Sequence, residues 1–100
     1  MTLPSTENAS AEMRFTIYVA GEAPHSVRAL HNLQELCNRY WKSNFHIEVI
    51  DVLLNPERAW ADGVMVTPTT VRHLPSPRVT LVGDLNNTAR VLWALGVPRD

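Results

Sequence analysis

One thiol, four imidazoles and a serine next to a histidine are the groups of this chain from which a reaction could be assembled. Disulfide exchange needs two cysteines separated by two residues, because one thiolate attacks and the second resolves the mixed disulfide. Cys37 is the single cysteine, and it falls on the apolar side of a stretch with helical periodicity. It is therefore read as a buried structural thiol. His25, His31, His46 and His73 include no pair at the helical spacing of metal ligands and have no cysteine beside them, so they are read as surface residues. Ser26 follows His25 directly, but adjacent helical residues point in different directions, and no acidic group is identifiable to orient the imidazole. Ser26 is assigned a local capping role. Gly21 and Gly83 do not make a phosphate-cradling loop. No catalytic residue, metal ligand or cofactor site is assigned, and the expectation is a protein that acts by binding other proteins.

Composition narrows the class of partner. The chain has 100 residues, of which 45% are hydrophobic, enough for one domain with its own core. Acidic and basic residues are interspersed, with a formal net charge of -1, so no long-range field would gather nucleic acid or an anionic membrane. No apolar run is long enough to cross a bilayer, and no basic-then-apolar signal segment is present. With one cysteine, the expectation is a reduced, cytoplasmic protein.

The elements that must position these groups follow from periodicity. Residues 1–12 are mostly small or polar and show no apolar period, which predicts a flexible N-terminal extension ahead of a domain spanning 13–100. Residues 14–20 alternate, with Phe15, Ile17 and Val19 on one face of a strand that ends at Gly21. Pro24 suits a helix start, and Val27, Leu30, Leu33, Leu36, Cys37, Tyr40 and Trp41 recur at helical spacing. A second strand carries Phe45, Ile47 and Val49, with Ile50 and Val52 on its other face. Asn55 is expected to cap a short helix begun by Pro56 and stopped by Gly63. Residues 64–71 are strand-prone but contain Pro68, which predicts an edge or interrupted strand. Pro75-Ser76-Pro77 turns into Val79-Thr80-Leu81-Val82, an antiparallel partner, and Asn86 or Asn87 caps a last helix closed by Gly96 and Pro98. The order is βαβαββα, an α/β chain.

Five stretches narrow this further: Tyr18-Val19-Ala20-Gly21 with Pro24 and Ser26-Val27-Arg28-Ala29-Leu30; Val49-Ile50-Asp51-Val52-Leu53 with Asn55-Pro56; Thr67-Pro68-Thr69; Leu74-Pro75 with Pro77; and Gly83-Asp84-Leu85. In order and spacing, over residues 15–95, they resemble the KaiB family. The resemblance implies a thioredoxin-like domain without the thioredoxin dithiol, and a clock or clock-derived regulator that binds the ATPase ring KaiC and, in complete clocks, sequesters KaiA. It also implies an alternative fold of the C-terminal half that assembles into tetramers or dimers, set against a partner-binding thioredoxin-like monomer. The sensory domain of the histidine kinase SasA is a related module, so a free-standing kinase-binding domain is one rival and a thiol oxidoreductase another.

The resemblance also singles out residues. Arg28, in the family-like start of the first helix, is a partner-binding candidate together with Arg58 and Asp62. Thr67-Pro68 stands where thioredoxin-like proteins carry a cis proline, a trans edge-strand proline being the alternative. Gly83, Asp84, Ala94 and Gly96 mark the fold-switch region, and Ala94-Leu95-Gly96 replaces a family Gly-Leu-Asp, which favours the helical ending. Arg72, Arg78 and Arg90 are read as solvated decoration, and Trp60 and Trp93 as core residues, with interface anchoring the alternative.

Overall fold

The computed structural model describes residues 12–97. The N-terminal extension expected up to residue 12 lies outside this range but for Glu12, as does Pro98. Strand β1 (Met13–Val19) leads to helix α1 (Pro24–Tyr40), β2 (Phe45–Asp51), α2 (Pro56–Ala61), β3 (Thr69–Leu74), β4 (Val79–Val82) and α3 (Thr88–Ala94). The four strands form one sheet in the order β2-β1-β3-β4, with β1 and β2 parallel and the other pairs antiparallel. This is the thioredoxin-like topology.

The alternation along β1 divides the molecule. Met13, Phe15, Ile17 and Val19 face one way and pack with Ala29, Leu33, Leu36 and Cys37 of α1 and with Val91, Leu92 and Leu95 at α3. Tyr18 faces the other way into a smaller cluster with Ile50, Ala59 and Val71 beneath α2. Each large side chain buried in this way contributes ~1.5–3 kcal/mol, so the larger cluster dominates the stability.

Several expectations need correction. β3 is an inner strand, not an edge, because Pro68 sits one residue ahead of the ladder and lends it only its carbonyl, which accepts from the Gly83 amide at 3.0 Å. Trp60 and Trp93 are not core residues: they are 85% and 82% exposed. α2 reaches the sheet through Ala59 and α3 through Val91 and Leu92, and the next residue on a helix points about 100° away from its predecessor. Val27 leaves the buried stripe of α1 for the same reason. Asn55 stands at the cap position of α2 but makes no side-chain cap; its Nδ2 donates to the Asp51 carbonyl at 3.4 Å. Asn87 does cap α3, its Oδ1 accepting from the Arg90 amide at 3.1 Å. Arg72 is no solvated decoration: it is 5% exposed, and its guanidinium donates to the carbonyls of Leu95 and Pro77.

Candidate interaction surface

β1 and β2 run parallel, so both end at the same side of the sheet, where β3 begins and β4 finishes. The connections after β1, after β2, before β3 and after β4 therefore gather at one end of the domain. Two side chains hold this end together. The Asp51 carboxylate accepts from the Gly21 amide at 3.1 Å and from the Leu53 amide at 2.9 Å. Ser26 is buried and its Oγ accepts from the Ala20 amide at 3.1 Å, so its role is to tie strand to helix rather than to cap the helix.

A dithiol enzyme of this topology would carry its cysteines where Glu22, Ala23, Pro24, His25 and Ser26 stand. Cys37 is far along α1, fully buried, and burial pushes its thiol up to about 12. The Thr67-Pro68 bond is cis, as are Leu74-Pro75 and Ser76-Pro77. Beside the segment from Glu22 to Ser26, the end of the sheet presents apolar side chains to solvent. Leu53 is 70% and Met65 91% exposed, Leu54 and Val66 are bare beside them, and Ala20, Ala59 and Val64 line the shallow groove between. Sequence reasoning missed Leu53 and Met65; the one signal available was the pair of leucines continuing past the end of β2.

The three partner-binding candidates occupy two faces. Arg28 lies on the α1 side, where its Nη2 meets His25 Nδ1 at 2.8 Å and its Nε pairs with Asp84 Oδ2 at 3.4 Å. Asn32 Nδ2 donates to the Asp84 carbonyl at 2.7 Å, so α1 grips the connection between β4 and α3 at two points. This also explains Asp84, one of the fold-switch candidates: it is a tether. Gly83 and Gly96 both take positive φ, +110° and +76°, and Gly96 lies just past the end of α3, which Ala94 terminates.

Arg58 and Asp62 lie on the opposite face, with α2. Arg58 pairs with Glu48 at 3.1 Å, and that hydrogen bond holds the Glu48 carboxyl below its ordinary range while raising the guanidinium. Asp62 accepts a hydrogen bond from the Tyr18 hydroxyl and pairs with Arg78 at 3.7 Å. Burial, and next the hydrogen bond and charge of Asp62, push Tyr18 up to about 12. Thr16 Oγ1 meets His73 Nε2 at 2.9 Å in the same shallow polar basin. Among the described residues, no three His, Cys, Asp or Glu side chains converge on a point that could hold a metal ion. No helix among them is long and apolar enough to cross a membrane.

Residues 16–97 match the KaiB domain as a family, from the middle of β1 to the last described residue. The chain belongs to the KaiB family. It is 43% identical over 79 residues to the circadian clock oscillator protein KaiB of Thermostichus vulcanus, covering 79% of this chain and 73% of that one. It is 36% identical over 81 residues to the circadian clock protein KaiB3 of Synechocystis, covering 81% and 79%. Among solved structures it resembles the N-terminal domain of SasA from Synechococcus elongatus, with a TM-score of 0.71, 19% identity and coverage of 96% and 89%. The thioredoxin Deadhead of Drosophila melanogaster superposes with a TM-score of 0.68 at 19% identity, covering 92% and 88%. At such identities these two likenesses concern the fold alone. This KaiB-family domain thus shares the thioredoxin-like frame while the segment from Glu22 to Ser26 carries no thiol.

Proposed function

We propose that this KaiB-family chain is a non-catalytic, cytoplasmic clock or clock-derived regulator that docks as a thioredoxin-like monomer on the ring of a KaiC-type ATPase. The observation that carries this reading is the thiol-free end of the sheet, where an oxidoreductase would hold its dithiol and this chain presents Leu53, Met65 and the Arg28 network instead. Exposed apolar side chains beside a charged rim are the usual make-up of a protein–protein contact. The clock names of the relatives support the choice of partner. Arg28 supplies charge at the rim, and Arg58 and Asp62 bound the opposite face.

Co-sedimentation or size exclusion with a KaiC homologue of the source organism, over long incubation with ATP, tests the proposal. Association is expected, and Met65→Glu and Arg28→Glu are each expected to weaken it by about tenfold or more. No association at concentrations where other family pairs associate overturns the assignment. A second reading, a free-standing module that binds a signalling kinase, is compatible with the same thioredoxin-like frame. A lysate pull-down that recovers a histidine kinase and no KaiC homologue would select it.

A further inference from the structure

The register of the last strand pair exposes an unused binding edge. β4 has β3 on one side only. Thr69 lies opposite Val82, Thr70 opposite Leu81, Val71 opposite Thr80 and Arg72 opposite Val79. The Gly83 amide donates to Pro68, which makes that pair a hydrogen-bonded one. Hydrogen-bonded and non-hydrogen-bonded pairs alternate along an antiparallel ladder. Val79 and Leu81 therefore spend their main-chain groups on β3, whereas Thr80 and Val82 turn theirs to the open side. Among the described residues nothing pairs with those four groups.

What flanks this edge is built for contact. A groove runs between β4 and α3, lined by Val82, Gly83, Leu85, Arg90, Trp93 and Ala94. Val82 is 65% exposed and Trp93 lies bare on the flank of α3. Tryptophan and arginine are the residue types that most often dominate binding energy, and an open strand edge is a template for another strand. The charges choose the kind of strand. The Asp84 carboxylate in the groove is engaged by Arg28 and His25, while Arg90 has no acidic partner among the described residues. Arg78, the residue before β4, is already paired with Asp62, which leaves Arg90 as the cation open to a ligand here.

We infer that the free edge of β4, with Arg90 and Trp93 beside it, is a strand-addition site for an extended acidic segment of a partner protein, separate from the apolar end around Leu53 and Met65. The main chain of Thr80 and Val82 would supply two donors and two acceptors. Trp93 would cover the alternate side chains on one face, and Arg90 would meet their carboxylates.

The test uses the full chain and a synthetic peptide alternating valine with glutamate, with a valine–lysine peptide as control, followed by amide NMR. The expected result is binding of the acidic peptide alone, with shifts and slowed exchange at Thr80 and Val82. Thr80→Pro removes an outward amide, which an edge strand tolerates, and is expected to weaken binding at least about tenfold. Arg90→Glu is expected to do the same by charge reversal, and it carries the test if Thr80→Pro fails to fold. Three outcomes would overturn the proposal: equal binding of both peptides or of neither, shifts confined to β2, or concentration-dependent protection of Thr80 and Val82 without peptide. The last would make the edge a contact between copies of this chain.

Discussion

The guanidinium of Arg72 donates to the main-chain oxygen of Leu95 at 2.7 Å, so a cation from an inner strand holds the last turn of α3. Its other arm donates to the Pro77 carbonyl at 2.8 Å, in the turn between β3 and β4. The closing carbonyls of a helix lack intrahelical partners and carry the negative end of its dipole, so a buried cation is well placed there. Burial lowers the pKa of Arg72 below its ordinary value, the direction expected when nearby carbonyls offset desolvation only in part.

Replacing Arg72 by methionine keeps the volume and strands both carbonyls. A loss of about 2–3 kcal/mol is expected, read as a lower urea midpoint. Arg72→Lys should recover little of it, because an ammonium cannot span both carbonyls as the planar fork does. A methionine variant as stable as the parent would show that the arginine's desolvation cancels its hydrogen bonds.

Two buried groups set the alkaline limit. Tyr18 and Cys37 are both pushed up to about 12 in the folded chain, from ordinary values of 10.0 and 9.0. Both folded values are raised, so each contribution is complete below the unfolded value and is lost as pH rises through the folded one. Stability should therefore decline from about pH 9 to about pH 12, with Tyr18 accounting for a loss on the order of 2 kcal/mol above pH 10. Urea unfolding across that range, repeated with Tyr18→Phe, checks this. The variant should lose the tyrosine part of the slope, and ultraviolet titration should lose its latest phenolate.

Cys37 should resist thiol reagents in the folded chain and react when urea unfolds it, since the thiolate is the nucleophile and burial disfavours it. No turnover of a disulfide substrate above background is expected, and Cys37→Ser should leave partner binding unchanged. Catalysed reduction abolished by Cys37→Ser would contradict the proposed non-enzymatic role.

Ala94→Gly should destabilise the end of α3 by about 1 kcal/mol, the propensity difference between the two residues. Gly96→Ala should cost about 1–2 kcal/mol; its added methyl meets open space, but φ of +76° disfavours any side chain there. In NMR, residues 91–95 should show helical secondary shifts in the major species of the parent. Strand-like shifts, together with a tetramer in sedimentation, would mean that the alternative arrangement of the C-terminal half dominates.

The frame was legible because its signals are local: alternation along β1, the stripe of Leu33, Leu36 and Cys37, and the punctuation by Pro24, Pro56, Gly63 and Gly96. Position within the sheet was not. Pro68 reads as an edge marker from its chemistry, yet β3 is central because the ladder starts at Thr69. Short helices misled in the same way. Trp60 and Trp93 are apolar, but α2 and α3 spend their few inward positions on Ala59, Val91 and Leu92. The family-like stretches brought Arg28 into view, whereas its partner Asp84 lies 56 residues further on, a separation no periodicity reveals. The Tyr18–Asp62 contact depends likewise on which face of β1 meets α2.

Asp51 joins the exits of two strands with a single carboxylate oxygen, engaging the amides of Gly21 and Leu53 together. The two connections cannot wander independently while both bonds hold, so the lip they form is preorganised in its unbound state. A partner settling on Leu53 has little chain to immobilise, and less of the contact energy is consumed by ordering. Encounter there should resemble the meeting of two rigid bodies, and any slowness in association would have to arise elsewhere in the molecule or in its partner.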